Sequence, residues 1–569
     1  MRLRDCTRPL VAVAGALLTL ALGLPATAWA TTEGLVGPGY TDEQIAASLA
    51  AGEVDLSWTG EGDVDVQANG SYALTTIGGS TRYETSVSEA LSAFSSADTV
   101  VIVGGESYAD ATSGAGLAGA LDAPIILTAP KELPSVVSDA IRTLGAKKVI
   151  ILGGKDAVSK NVESELKELV GADGVERIAG ETRYDTQLAV VQYGIDNGLW
   201  TGDSVAVCYG ENFADALSFS PVAYALKMPV FFTNAKGQLD KSQLKKLAAC
   251  EGDAAKTKVY AVGGTTVVSD KAVSALEGVE GVKSVVRLGG ATRYDTSYQI
   301  NAYAVSNLGF TWDHVAFCSG QKPWDALGGG AMQGKNKRLL SLLDNNGALS
   351  EPAVYVDGKP AHAVFLGGKD VYPNSFKAQF AYKMGYGIKD IEGFKVYVDA
   401  GHGEIHSDGS YTTGASSSDG SYREVDLTRE LADKVAAVLN GYGMATYVDK
   451  TTTYELRQAQ ASELDCGLLV AIHFNATDNG TASGAESYIH SSRAPWGSSH
   501  LQDCLTQRLA DSMGLVNRGE NWDQFPICAG KVPSCLLEIC FIDNWSDLST
   551  YFSHKDSAAR AIADGIMAW

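Results

Sequence analysis

Three stretches of this chain carry the same short signature. Gly79-Ser80-Thr81-Arg82-Tyr83-Glu84-Thr85 returns as Gly180-Glu181-Thr182-Arg183-Tyr184-Asp185-Thr186, and again as Gly290-Ala291-Thr292-Arg293-Tyr294-Asp295-Thr296. A second signature follows each first one: Tyr108-Ala109-Asp110-Ala111, Phe213-Ala214-Asp215-Ala216 and Pro323-Trp324-Asp325-Ala326. A third closes each unit: VIILGG at 149–154, VYAVGG at 259–264 and VFLGG at 364–368. Repetition at a nearly fixed period means one structural unit made three times, each burying its apolar surface against the next.

Within a unit, short Val/Ile-rich runs alternate with helical patterns. Runs such as Val100–Val103 and Val149–Leu152 are apolar without a break. They predict strands buried on both faces, hence a parallel sheet with helices on each side. Gly-Gly after a strand predicts a tight turn; a phosphate cradle is the weaker reading, because no Lys-Ser/Thr partner follows. The third copy departs from the pattern, with Lys335, Lys337 and Arg338 where the first has the apolar segment ending Ile125–Thr128.

A chain of 569 residues exceeds one hydrophobic core, so further domains flank the repeats. At the start, Arg2 and Arg4 precede an apolar run from Leu10 to Leu24 and an Ala28-Trp29-Ala30 cleavage site. This is the pattern of a secretory signal peptide over 1–30, and it predicts no membrane span after its removal. Residues 31–70 have no Lys or Arg and read as a flexible acidic leader. The net charge is −22, of which about −12 falls in residues 391–569 and about −8 in the leader. Such a chain is not built to bind nucleic acid. Eight cysteines remain beyond Cys6 in an exported chain, where disulfides are permitted. Cys208 and Cys318 hold the same place in two repeats, within apolar strands, and read as buried free thiols.

Chemistry-bearing residues concentrate in the last part of the chain. An apolar run, Phe394–Val398, leads into Asp399-Ala400-Gly401-His402-Gly403. Glu424 opens a helical pattern with Leu427, Leu431, Val435 and Val438 on one face, stopped near Gly441 and Gly443. Leu468–Ile472 reads as a buried strand ending in His473, and Leu536–Ile542 as another, interrupted by Glu538. Two His and one Glu supply a three-ligand zinc site with a fourth position open. A second carboxylate, raised in pKa by burial, then moves protons. Spacing alone leaves the ligand set open, because Glu404, His406 and Asp408 lie close by; Glu404 and Glu486 are the alternatives to Glu538 as base.

Two family resemblances build on these residues. The three signatures over about 71–390 resemble the type 2 cell-wall-binding repeats of Gram-positive surface proteins. That resemblance implies three small α/β units around a pseudo-threefold axis, held non-covalently on an anionic secondary wall polymer. In order, DAGHG, YREVDLTRELA, Leu456-Arg457, LLVAIHFNA, SGAESY, NRGEN and LLEICFIDN look like the catalytic domain of zinc-dependent N-acetylmuramoyl-L-alanine amidases. This second resemblance implies a mixed α/β fold, His402, Glu424 and His473 as ligands of one Zn2+, and Glu538 as the catalytic carboxylate. The family's second glycine after the first histidine is Glu404 here. A long Ser/Gly/Asp-rich loop, His406–Ser421, suggests an insertion that shapes substrate access or acts as a lid.

The expected layout is therefore a signal peptide (1–30), a leader (31–70), three repeats (71–174, 175–284, 285–392) and an amidase domain (393–569). The expected function is that of a secreted autolysin at the wall of a Gram-positive-type bacterium. It would cut the bond between N-acetylmuramic acid and L-alanine of the stem peptide by zinc-activated water. A zinc peptidase acting within the stem peptide, or a non-catalytic wall-binding protein, is the alternative.

Overall fold

The computed structural model describes residues 73–250, 258–344, 348–405, 409–477 and 479–569. The expected signal peptide and leader, and the candidates His406 and Asp408, lie outside the described residues.

The first strand, β1 (Leu74–Ile77), does not join the sheet of the repeat that follows it. In that repeat β2 (Thr99–Gly104), β3 (Ile125–Thr128), β4 (Lys148–Leu152) and β5 (Val175–Ile178) form an all-parallel sheet of order β3-β2-β4-β5. The second repeat copies it with β6 (Ser204–Tyr209), β7 (Val230–Thr233), β8 (Lys258–Val262) and β9 (Ser284–Leu288), in the order β7-β6-β8-β9. The third has β10 (His314–Ser319), β11 (Leu339–Leu343) and β12 (His362–Leu366), and its fourth place is taken by β1. Each sheet thus takes its outer strand from the run preceding the next Thr-Arg-Tyr signature. Because β1 precedes the first signature, it closes the three sheets into a ring.

The signatures explain the closure. Thr81, Thr182 and Thr292 each cap a helix by accepting from the backbone N–H three residues on. The arginine beside each cap reaches across a junction onto the aromatic residue of another repeat's second signature. Arg183 lies over Tyr108 (5.5 Å), Arg293 over Phe213 (5.6 Å) and Arg82 over Trp324 (4.6 Å). The strand-end glycines are turn residues: Gly153, Gly263 and Gly367 have φ of 109°, 120° and 128°. A Cβ on Gly153 or Gly263 would come within 2.7 or 2.6 Å of the carboxylate of Asp110 or Asp215, so the third signature also makes room for the second. The helices Ala115–Ala120, Ala214–Ala225 and Gly329–Lys335 pack on one another, one from each repeat.

The third repeat corrects one expectation. Its apolar segment is present: Leu339–Leu343 is fully buried as β11 and pairs with β10 as β3 pairs with β2. The basic residues occupy the helix end and the turn into the strand instead, where charges stay near solvent. Lys337 (φ 50°) is the left-handed turn residue corresponding to Asp122 (φ 49°) and Lys227 (φ 50°). Lys335 crosses to Asp122 of the first repeat, 2.7 and 2.9 Å from its carboxylate oxygens.

The helix Asn374–Met384 leads out of the ring. Asn374 ties to Asp465 and Gly393 of the next domain, and Phe365, Phe380, Phe394 and Val396 share one core. In that domain β13 (Lys395–Ala400), β14 (Ala445–Asp449), β15 (Leu468–Asn475), β16 (Ala485–His490), β17 (Asn517–Asp523) and β18 (Ser534–Phe541) form one sheet of order β14-β13-β15-β18-β16-β17. Only the β16–β18 pairing is antiparallel. Val398, Val470 and Ile472 face the helices Glu424–Gly441, Ser498–Met513 and Trp545–Met567. Tyr397, Leu469, Ala471 and Leu536 face a smaller core with Ile527, Cys528 and Val532. All eight described cysteines are buried, and Cys208 and Cys318 are free thiols. No helix among the described residues is long and apolar enough to cross a membrane.

Candidate metal centre

Strand alternation sets out one side of the site. His473 lies two residues beyond Ala471, and Glu538 two beyond Leu536, so both point to the face of the smaller core. They are direct neighbours in the β15–β18 register, and Glu538 is opposite Glu486 across the β18–β16 pair. His473, Glu538 and Glu486 therefore form a row across three strands.

His402 enters from the loop after β13 with φ 68°, a left-handed conformation unfavourable for a residue with a Cβ. Arg457 holds it there. The guanidinium is fully buried and donates to the His402 carbonyl (3.0 Å), to Asp399 (2.8 Å) and to Glu404 (3.0 Å). Glu404, the departure from the family glycine, is thus an ion-pair partner of Arg457. Burial pushes the Asp399 carboxyl up to about 7, against the attraction of Arg457.

Glu424 is the first residue of its helix, where the N-terminal dipole favours a carboxylate. One oxygen is 2.9 Å from His402 Nε2 and the other 3.0 Å from His473 Nδ1. Backbone N–H groups of Ala415 (2.8 Å) and Phe474 (3.0 Å) also donate to it. Burial opposes ionisation of Glu424, but the two histidines outweigh it and hold the carboxyl below its ordinary range. The three residues are buried and offer donor atoms all within 4.8 Å of one another. His473 Nε2 is sealed from solvent without a hydrogen-bond partner among the described residues.

Glu538 Oε2 is likewise sealed and without a hydrogen-bond partner. Burial, then the charges of Glu424 and Glu486, push its carboxyl well above the ordinary range. The two alternative bases are engaged elsewhere. Glu404 is held by Arg457, while Glu486 accepts from Asn475 (2.6 Å), Arg518 (3.3 Å) and Asn521 (3.4 Å).

The long loop before Glu424 contributes to the centre, a role that sequence reasoning left open. Ala415 bonds Glu424, and a Cβ on Gly414 (φ 66°) would lie 2.4 Å from His402 Cδ2 and 2.5 Å from Glu424 Oε2. Gly403 donates to Thr412, and Ser416 bridges Arg423, so the described part of the loop is laced to the residues it covers. Gly414 was the available signal: a glycine in a polar loop with a required close approach.

With this geometry in view, the comparisons with known proteins are specific. Residues 396–568 match the family model for N-acetylmuramoyl-L-alanine amidase. Residues 76–163, 177–273 and 287–377 match cell wall binding domain 2. The N-acetylmuramoyl-L-alanine amidase LytC of Bacillus subtilis is 30% identical over 501 residues, 87% of this chain and 94% of that one. The amidase enhancer of the same organism is 29% identical over 269 residues, covering 47% of this chain and 34% of its own length. Among solved structures, Cwp6 from Clostridium difficile aligns with a TM-score of 0.48 at 22% identity, over 88% of this chain and 79% of that one. A relative matched over nearly its whole length, with both domain models in the expected order, places this chain in the N-acetylmuramoyl-L-alanine amidase family, as a catalytic domain preceded by three cell-wall-binding repeats.

Proposed function

We propose that the chain is exported and hydrolyses the amide between the lactyl carbonyl of N-acetylmuramic acid and L-alanine of the stem peptide, using zinc held by His402, Glu424 and His473. The observation that carries this is the buried cluster of those three residues with Glu538 in register beside it. Two imidazoles and one carboxylate are a zinc donor set, and a His473 Nε2 sealed without a hydrogen-bond partner suits a metal ligand. When bound, zinc supplies a Lewis acid that activates water and polarises the amide carbonyl. Glu538 takes the proton of the attacking water and delivers it to the departing alanine nitrogen, a task suited to a carboxyl with a raised pKa. Arg457 fixes the His402 loop, and Phe474 and Ala415 hold Glu424 in place between the imidazoles.

The division of labour follows the repeat pattern. Residues 1–30 direct export and 31–70 are a leader. The repeats, over 71–174, 175–284 and 285–392, hold an anionic secondary wall polymer without covalent attachment, and 393–569 cuts. Tethering raises the local concentration of the enzyme on its substrate and does not enter the chemistry.

Mass spectrometry of digested peptidoglycan tests the reading. The expected products are peptides with a free L-alanine N-terminus and glycan bearing free lactyl carboxyl groups, lost on chelation and restored by zinc. Cuts between residues of the stem peptide would instead make the chain a peptidase.

A further inference from the structure

The row of side chains on the catalytic sheet does not end at Glu486. One strand further out, Arg518 on β17 donates its Nε to Glu486 Oε2 at 3.3 Å. The order across the sheet is therefore His473, Glu538, Glu486, Arg518. The guanidinium is held in place: it lies over the Phe541 ring at 4.9 Å, and its stem packs so closely on Gly484 that a Cβ there would be 2.9 Å from Arg518 Cγ. The side chain is 37% exposed, and its two Nη groups have no hydrogen-bond partner among the described residues. Glu486 does not need the whole fork, since Asn475 and Asn521 also donate to it. A fixed, half-exposed guanidinium with a free Nη edge is a bidentate carboxylate receptor.

We propose that Arg518 determines specificity for the peptide side of the substrate, by binding the free α-carboxylate of the residue that follows L-alanine. This rests on the amidase reading above. Glu538 has to reach the leaving nitrogen, so the peptide departs on the Glu538 side of the metal ligands, toward Arg518. Two strand spacings put β17 about 10 Å from β18. Two residues of extended peptide cover about 7 Å, and the lean of Arg518 toward Glu486 closes most of the remainder. A stem peptide continuing through the side-chain carboxyl of its second residue leaves the α-carboxylate free at that distance.

The test uses the full chain with zinc and two soluble muramoyl pentapeptides differing only at the second residue, as α-carboxylate or α-carboxamide. The wild type is expected to show the lower KM on the carboxylate. Arg518→Gln should raise that KM about 10- to 100-fold, the range for a charge-assisted pair, leave kcat within about twofold, and leave the carboxamide KM unchanged. Arg518→Lys, which keeps the charge beside Glu486 but loses the fork, should recover only part of the preference. Equal losses on both substrates, a fall in kcat alone, or no change would overturn the proposal. If the wild type releases alanyl peptide from neither substrate, the amidase reading fails first and takes this one with it.

Discussion

Glu538 and Glu486 show how environment assigns roles to identical side chains. They face each other across two strands. Glu486 has three donors, whereas one oxygen of Glu538 is sealed without any. A carboxylate with an oxygen sealed without donors is costly when charged, so it holds a proton readily and can return it. Glu538→Gln should keep zinc and the fold while turnover falls about 10²–10⁴-fold, read by peptide release alongside metal analysis. Release of zinc or a lower melting temperature in this variant would make Glu538 structural. By contrast His402→Ala, Glu424→Ala and His473→Ala should each lower zinc content after dialysis. Full occupancy in any of them would strike that residue from the ligand set.

At the scale of elements, the centre depends on where three segment ends meet: the loop after β13, the start of the Glu424 helix and the end of β15. Arg457, from the helix Arg457–Glu463, joins the first of these to the sheet through Asp399, Asp449 and Glu404. Removing this cation leaves three carboxylates close together. Arg457→Met should cost about 3–5 kcal/mol, as for other buried pairs broken on one side, and should weaken zinc binding, because the His402 carbonyl loses its anchor. Denaturant unfolding measures the first effect and metal titration the second. A cost below about 1 kcal/mol would mean the cluster relaxes around the gap.

For the whole molecule, the ring of repeats carries a pH signature. Asp110 and Asp215, at corresponding places in two repeats, have carboxyls pushed up by burial to about 6, against the pull of Arg183 and Arg293. A folded pKa above the unfolded one stabilises the protein at low pH. That contribution is complete below about pH 4 and is lost as pH rises through 6. In Asp110→Asn/Asp215→Asn, the stability lost between pH 4.5 and 7 should shrink by up to about 2 kcal/mol per site. Parallel melting curves for wild type and variant would contradict this. Wall binding is also a property of the whole chain, best measured with Glu538→Gln so that the wall survives. Stripping the secondary polymer while sparing peptidoglycan should abolish co-sedimentation; unchanged sedimentation would move the binding site to glycan or peptide.

Much of this was legible in the sequence because it depends on local periodicity. The repeats, the strands on which His473 and Glu538 sit, and the helix opening at Glu424 follow from recurring signatures and apolar spacing. Apparent irregularities misled where the pattern was read too literally. Lys335–Arg338 looked like a lost strand, yet they are a helix end and a turn before an intact one. What no local pattern could give was pairing between distant segments: β1 closing the third repeat's sheet across nearly three hundred residues, or each signature arginine meeting another repeat's aromatic ring. The same holds for Arg457 reaching Glu404 and for Gly414 pressed against His402. Burial and charge compensation are set by which surfaces meet, so the sequence determined the elements and the candidate residues, while only the tertiary structure decided which carboxylate is satisfied and which is left to carry a proton.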